Sequence, residues 1–199
     1  MSQSAAASLG AQFTEALLEM GVLLTGRFKL KNGTFSPYFF DFGLIGDGDG
    51  LYRLGIYYAQ KIIQDIGVDT LDILFGPAFK GIPIAISTAL ALHREFGISK
   101  GYCFNRPVEK DHGEGGLLLG SKLTSSSRVL LVDDVITDGG TKVGTLEFLR
   151  KEVGCHVMGV LVGVDRTESP RLLQEFTANT GLPVWSITST EEVGVLTKA

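Results

Sequence analysis

The residues best suited to chemistry lie between 128 and 149, in RVLLVDDVITDGGTKVGTLEFL. An apolar run ends in two adjacent carboxylates, Asp133 and Asp134. The loop Val135-Ile136-Thr137-Asp138-Gly139-Gly140-Thr141 follows and opens a helix. Backbone N–H groups of such a loop, with the helix N-terminus behind them, hold a phosphate. Gly139 and Gly140 let the backbone approach the anion, and Thr137 and Thr141 add hydroxyl donors. The carboxylates would repel a phosphate. They must face something else, namely the vicinal hydroxyls of a ribose, directly or through Mg²⁺. Phosphate on one side and hydroxyls on the other describe a ribose 5-phosphate. An Asp-capped turn alone does not call for two adjacent acids, two glycines and two threonines together. Neither G-x-x-x-x-G-K-[ST] nor G-x-G-x-x-G occurs, so the run is not an obvious P-loop or dinucleotide site.

Four other places carry candidate groups. Arg106, Lys110 and His112 alternate with acids in FNRPVEKDHGEGG (104–116), ahead of Gly113, Gly115 and Gly116. A glycine-rich loop with cations suits a lid over an anionic leaving group; on its residues alone it reads equally well as a solvated surface loop. Lys80, in GPAFKG, stands between an apolar strand and a Gly-Ile-Pro-Ile helix start, a place that usually faces a site. Arg166 ends the apolar run 155–165 and offers a bidentate partner for a carboxylate. Phe39 and Phe40 present an aromatic face, although on residue type alone a Phe pair reads as core. His93, in a predicted helix, and His156, in a predicted strand, lack the company of such site motifs and read as structural. Cys103 and Cys155 lie in apolar runs and read as buried free thiols of a reducing, cytoplasmic compartment rather than a zinc site.

These residues need elements to position them. Apolar spacing predicts a helix from Phe13 to Leu24, two short extended segments within 28–45 around an Asn32-Gly33 turn, and a helix from Leu51 to Ile66. Alternation then begins. Strands are predicted at 72–76, 101–105, 128–134, 155–165 and 183–187, and helices at 81–96, 141–153 and 171–179, with a short closing helix. Residues 106–121 read as a loop. Uninterrupted apolar strands alternating with helices imply a doubly wound α/β fold with a mainly parallel sheet and flanking helices. One domain is expected over 1–199, with an N-terminal hood over about 1–45 and a core over about 68–190.

Composition bounds the rest. Of 199 residues, 44% are hydrophobic and 20% charged, which suits a globular core. The net charge of −4 gives no reason for a nucleic-acid or membrane-surface partner. No apolar stretch reaches the 18 or so residues a membrane span needs, and the first residues lack the pattern of a secretory signal. The 26 glycines are about twice the usual share of roughly 7%.

The 128–149 run resembles the 5-phosphoribosyl 1-diphosphate (PRPP) binding motif of the type I phosphoribosyltransferases. Other segments are similar to the orotate-specific members of that family. FNRPVEKDHGEGG resembles their flexible loop and LKNGTFSPYFFDFG (30–43) their orotate-binding segment; LFGPAFKGIPIA (74–85) and GVDRTE (163–168) match two further blocks. The resemblance covers most of residues 28–168 in order. It implies the family fold and a Mg²⁺-dependent transfer of ribose 5-phosphate from PRPP to orotate, in pyrimidine biosynthesis. It implies PRPP contacts from Lys31, Phe79, Lys80, Arg106, Lys110, His112 and the loop from Asp133 to Thr141. Orotate contacts would come from Phe39, Phe40, Thr137 and Arg166, and catalysis from Lys110, Asp133 and Asp134. Mg²⁺ would be bound mainly through PRPP and water, with no direct protein ligand. A homodimer with shared active sites, a stand-alone enzyme and a cytoplasmic location are further expectations. One departure is Pro107, where many members carry a second lysine; weaker pyrophosphate binding is expected from it. A transferase for another base, or a non-catalytic nucleotide sensor, are the other readings of the same motif.

Overall fold

The computed structural model describes residues 7–30, 33–106, 116–167 and 169–196. The chain opens with helix α1 (Leu9–Glu19) and a hairpin of β1 (Leu23–Lys29) and β2 (Phe35–Phe40), followed by helix α2 (Gly48–Lys61). Then come β3 (Ile73–Gly76), α3 (Gly81–Phe96), β4 (Gly101–Asn105), β5 (Leu118–Gly120), β6 (Arg128–Ile136) and α4 (Gly140–Phe148). The chain continues through β7 (His156–Asp165), α5 (Pro170–Thr180), β8 (Val184–Ser189) and α6 (Thr190–Leu196).

Six strands form the central sheet in the order β5-β4-β3-β6-β7-β8. All pair in parallel except β5, which runs antiparallel to β4. Side-chain alternation divides the core. Leu74, Leu130, Val132 and Leu161 face α1, α2 and α3, where Phe13, Leu17, Leu54, Tyr58 and Leu92 are buried. Leu131, Val160 and Val162 face Leu146 of α4 and Phe176 of α5. Both faces are covered, as uninterrupted apolar strands require. The β1–β2 hairpin is the expected hood, and its root is part of the core: Leu23 and Phe40 pair across it and are buried with Phe13 and Tyr58.

Several bounds differ from the sequence reading, each for a physical reason. α1 begins four residues earlier than Phe13 because the Ser8 hydroxyl caps the Ala11 N–H. It ends at Glu19, and Gly21 at φ +69° turns the chain. Leu23 and Leu24, predicted helical, instead pair with Phe40 and Phe39. α2 starts at Gly48, where Asp47 caps Gly50, and both it and α4 finish in π-helical turns, at Ile62–Ile66 and Leu149–Val153. The 106–121 loop contains β5. β6 runs through Val135 and Ile136, which pair with Val164 and Asp165, so these two are strand rather than loop. Helix 81–96 and strand 101–105 stand as predicted. Among the described residues no helix is long and apolar enough to cross a membrane.

Candidate active site at the carboxyl ends of the central strands

β3 and β6 are neighbours in the sheet, and the chain leaves them in opposite directions, toward β4 and toward β7. Their helices α3 and α4 lie on opposite faces. Such a switch point leaves a crevice at the carboxyl ends of the strands, which is where open α/β sheets bind ligands.

The loop after β3 forms one wall. Gly76 and Gly81 bring the strand end and the start of α3 into backbone contact: a Cβ on Gly76 would lie 2.0 Å from the Gly81 carbonyl oxygen. The Ala78 N–H donates to Asn105 Oδ1 (3.1 Å), which ties this loop to the end of β4. Phe79 is 74% exposed. Lys80 reaches across the crevice, with Nζ 3.2 Å from Asp134 Oδ2 and 3.8 Å from Asp41 Oδ1.

The acid pair sits opposite. Asp133 Oδ2 lies 2.6 Å from Lys142 Nζ. The Tyr58 hydroxyl, fully buried, donates to the Asp133 carbonyl at 2.7 Å. Burial pushes the Asp133 carboxyl above its ordinary value, against the Lys142 ammonium, which lowers it. Burial also pushes the Tyr58 phenol well up, so it stays a donor. Asp134 accepts the Val135 N–H at 2.8 Å. Each acid therefore has its own lysine.

The loop after β6 leads into α4. Thr137, Asp138, Gly140 and Thr141 are exposed, and Ile136 is buried. Asp138 Oδ1 accepts the Gly140 N–H at 3.0 Å. Gly139 has φ +77°, and a Cβ there would lie 2.4 Å from the Phe176 ring. Backbone conformation and packing both demand glycine.

Arg166 follows β7. Its N–H donates to the Ile136 carbonyl at 2.9 Å, which ties the two loops together. Its guanidinium carbon lies 5.9 Å from the Phe39 ring centroid and 5.8 Å from that of Phe40. Alternation along β2 separates the two rings: Phe40 is 3% exposed and belongs to the core, while Phe39 is 36% exposed and faces outward. Burial lowers the Arg166 pKa from its ordinary value, and no carboxylate among the described residues pairs with it. A half-buried guanidinium beside an exposed ring suits a flat anion.

Arg106 closes the β4–β5 hairpin, its N–H donating to the Leu117 carbonyl at 2.7 Å. The candidates Lys31, Lys110 and His112, with Pro107, lie outside the described residues. Thus the crevice gathers Lys80, Asp133 and Asp134, with Arg166 and Phe39 beside the loop that carries Thr137. Lys142, Tyr58, Asp41 and Asn105 were absent from the sequence-based set. Lys142 had a signal: with Leu146 and Leu149 it falls on one buried helical stripe. His93 and His156 are exposed. Cys103 and Cys155 are buried free thiols. Among the described residues no group of three or more metal-ligating side chains comes together.

The phosphoribosyl transferase domain family matches residues 45–181. The orotate phosphoribosyltransferase of Photobacterium profundum is 47% identical over 186 residues, covering 92% of this chain and 85% of its own. That of Bifidobacterium adolescentis is 41% identical over 196 residues, covering 94% and 85%. The crystal structure of orotate phosphoribosyltransferase from Francisella tularensis aligns with TM-score 0.79 at 34% identity, over 94% of this chain and 90% of that one.

Proposed function

The chain belongs to the phosphoribosyl transferase family, and from that premise we infer that it is a pentosyltransferase acting on orotate and PRPP. The bond from ribose C1 to the diphosphate oxygen breaks with its electron pair leaving on pyrophosphate, a bond from C1 to a ring nitrogen of orotate forms, and the proton of that nitrogen is released. The products are orotidine 5′-phosphate and pyrophosphate, on the route to UMP. The observation that carries the choice of base is Arg166. Its guanidinium has no carboxylate among the described residues and stands beside the exposed Phe39 ring, an arrangement suited to a planar pyrimidine bearing a carboxylate.

The roles of the residues follow from where charge lies. In the transition state the ribose gains positive charge and the leaving group negative charge, so catalysis consists of electrostatic stabilisation and exclusion of water. Thr137 to Thr141 cradle the 5-phosphate at the start of α4. Asp133 and Asp134 hold the ribose hydroxyls. Phe79, Lys80 and Arg106 line the diphosphate, with Lys31, Lys110 and His112 assigned to PRPP by resemblance. Lys110 stabilises the departing charge. Both acids already engage lysines, and no protein cage for a metal is present among the described residues. Mg²⁺ would then enter with the diphosphate of the substrate, and it would supply charge neutralisation to the leaving group.

A homodimer with shared sites and a cytoplasmic location belong to the same proposal. The resemblance to the orotate-specific family supports the first, and two buried free thiols support the second. Sedimentation at twice the mass of one chain checks the dimer, and a monomer at micromolar concentration contradicts it. The base is tested with orotate and uracil as competing acceptors. Uracil lacks the carboxylate, so orotate should be preferred by at least about 100-fold, as sites built around a polar group discriminate; equal turnover overturns the assignment.

A further inference from the structure

Lys142 breaks two local preferences at once. It lies in the first turn of α4, where a positive charge opposes the helix dipole. It is also only 4% exposed, where an ammonium loses its hydration. Its stripe calls for an apolar residue, since Leu146 and Leu149 are buried on the same face. One contact accounts for the choice: Lys142 Nζ stands 2.6 Å from Asp133 Oδ2.

The neighbouring contacts make Asp133 the focus. Tyr58 fixes its carbonyl from below at 2.7 Å, and Lys142 fixes its carboxylate. Lys80 differs from Lys142. It is half-exposed and shared between Asp134 and Asp41, so it is free to swing toward a substrate. Lys142 is enclosed and has one acid.

We propose that Lys142 is a positioning residue for the PRPP site: it holds Asp133 through Oδ2, so that the other carboxylate oxygen serves a ribose hydroxyl, and it cancels the acid's charge ahead of a polyanionic substrate. The inference rests on the reading of this crevice as a PRPP site. An uncompensated carboxylate in a half-buried crevice repels phosphate and diphosphate groups more strongly than one in water does. The buried ammonium removes that repulsion without touching the substrate. It acts on PRPP affinity rather than on orotate affinity or on the chemical step.

The test measures PRPP binding calorimetrically on the full chain, with steady-state KM and kcat, for the wild type, Lys142→Gln and Lys142→Arg. Gln keeps a donor and loses the charge; Arg keeps the charge. Lys142→Gln should raise the PRPP dissociation constant and KM by at least about tenfold, with kcat and the orotate KM within about threefold, the signature of lost uniform binding. Lys142→Arg should recover most of the loss. If Gln does not fold, Lys142→Met fills the same space and takes its place. PRPP affinity unchanged in the Gln or Met variant overturns the proposal. So does a parallel fall of kcat, both KM values and melting temperature that Arg does not rescue, which would make the pair structural only. A wild type that binds no PRPP overturns the underlying reading of the site itself.

Discussion

Arg166 separates the two substrates at the residue scale. Its guanidinium lies against Phe39 and Phe40, while the acid pair engages Lys80 and Lys142. Charge-assisted hydrogen bonds contribute about 1.5–3 kcal/mol, so Arg166→Gln should raise the orotate KM by roughly 10- to 100-fold and leave the PRPP KM nearly unchanged. Steady-state kinetics with each substrate varied check this; equal weakening of both contradicts the assignment. At this scale the acids, glycines and threonines of the PRPP loop were legible in the sequence, because their chemistry is local. Lys142 was legible only indirectly, through its register with Leu146 and Leu149 on one buried helical stripe. The division of labour between Phe39 and Phe40 also needed the strand, since alternation sends one ring to the core and the other to the crevice.

At the scale of elements, the loop between β6 and α4 depends on what packs beneath it. Gly139→Ala places a Cβ 2.4 Å from the Phe176 ring at φ +77°. A left-handed non-glycine residue costs about 1–2 kcal/mol before any clash. A lower melting temperature and a weakened PRPP thermal shift are expected together. A normal thermal shift in a destabilised variant would separate loop shape from binding. Tyr58→Phe removes the donor to the Asp133 carbonyl and leaves the ring packing; a buried acceptor without a partner costs about 1–3 kcal/mol. Denaturant unfolding should show that loss, and unchanged stability would mean that another donor replaces the hydroxyl. The elements themselves were legible where local signals end them, as at Gly97 after α3, whose φ is +68°. They were misjudged where tertiary pairing decides. Leu23 and Leu24 continue the helical spacing of α1 yet pair with β2, and three residues of β5 become a strand only because β4 offers an edge.

Across the whole molecule, one core runs from the hood hairpin to α6, while the opposite face is closed by α4 and α5. The α/β alternation made the central sheet legible, and the hood was visible as the region where alternation stops. What the sequence could not convey was that the hairpin's root, Leu23 and Phe40, is continuous with the sheet's core. That continuity ties the proposed orotate wall to the fold. Cys103 and Cys155 report on a separate cluster, where they are buried with Ile73, Phe75, Val129 and Leu149. Both thiols are buried, and burial pushes the Cys103 thiol up to about 11. At pH 8 the native protein should release almost no chromophore from an aromatic disulfide reagent, and two equivalents once unfolded. Rapid reaction of the native thiols would contradict the packing.

The central claim is the reaction. Orotate absorbance, followed with PRPP and Mg²⁺ and again with excess EDTA, tests it most directly. The account predicts a loss of absorbance that needs PRPP and is abolished by the chelator. No loss in the presence of all three, with PRPP still raising the melting temperature, would keep the phosphate site and contradict orotate as the acceptor.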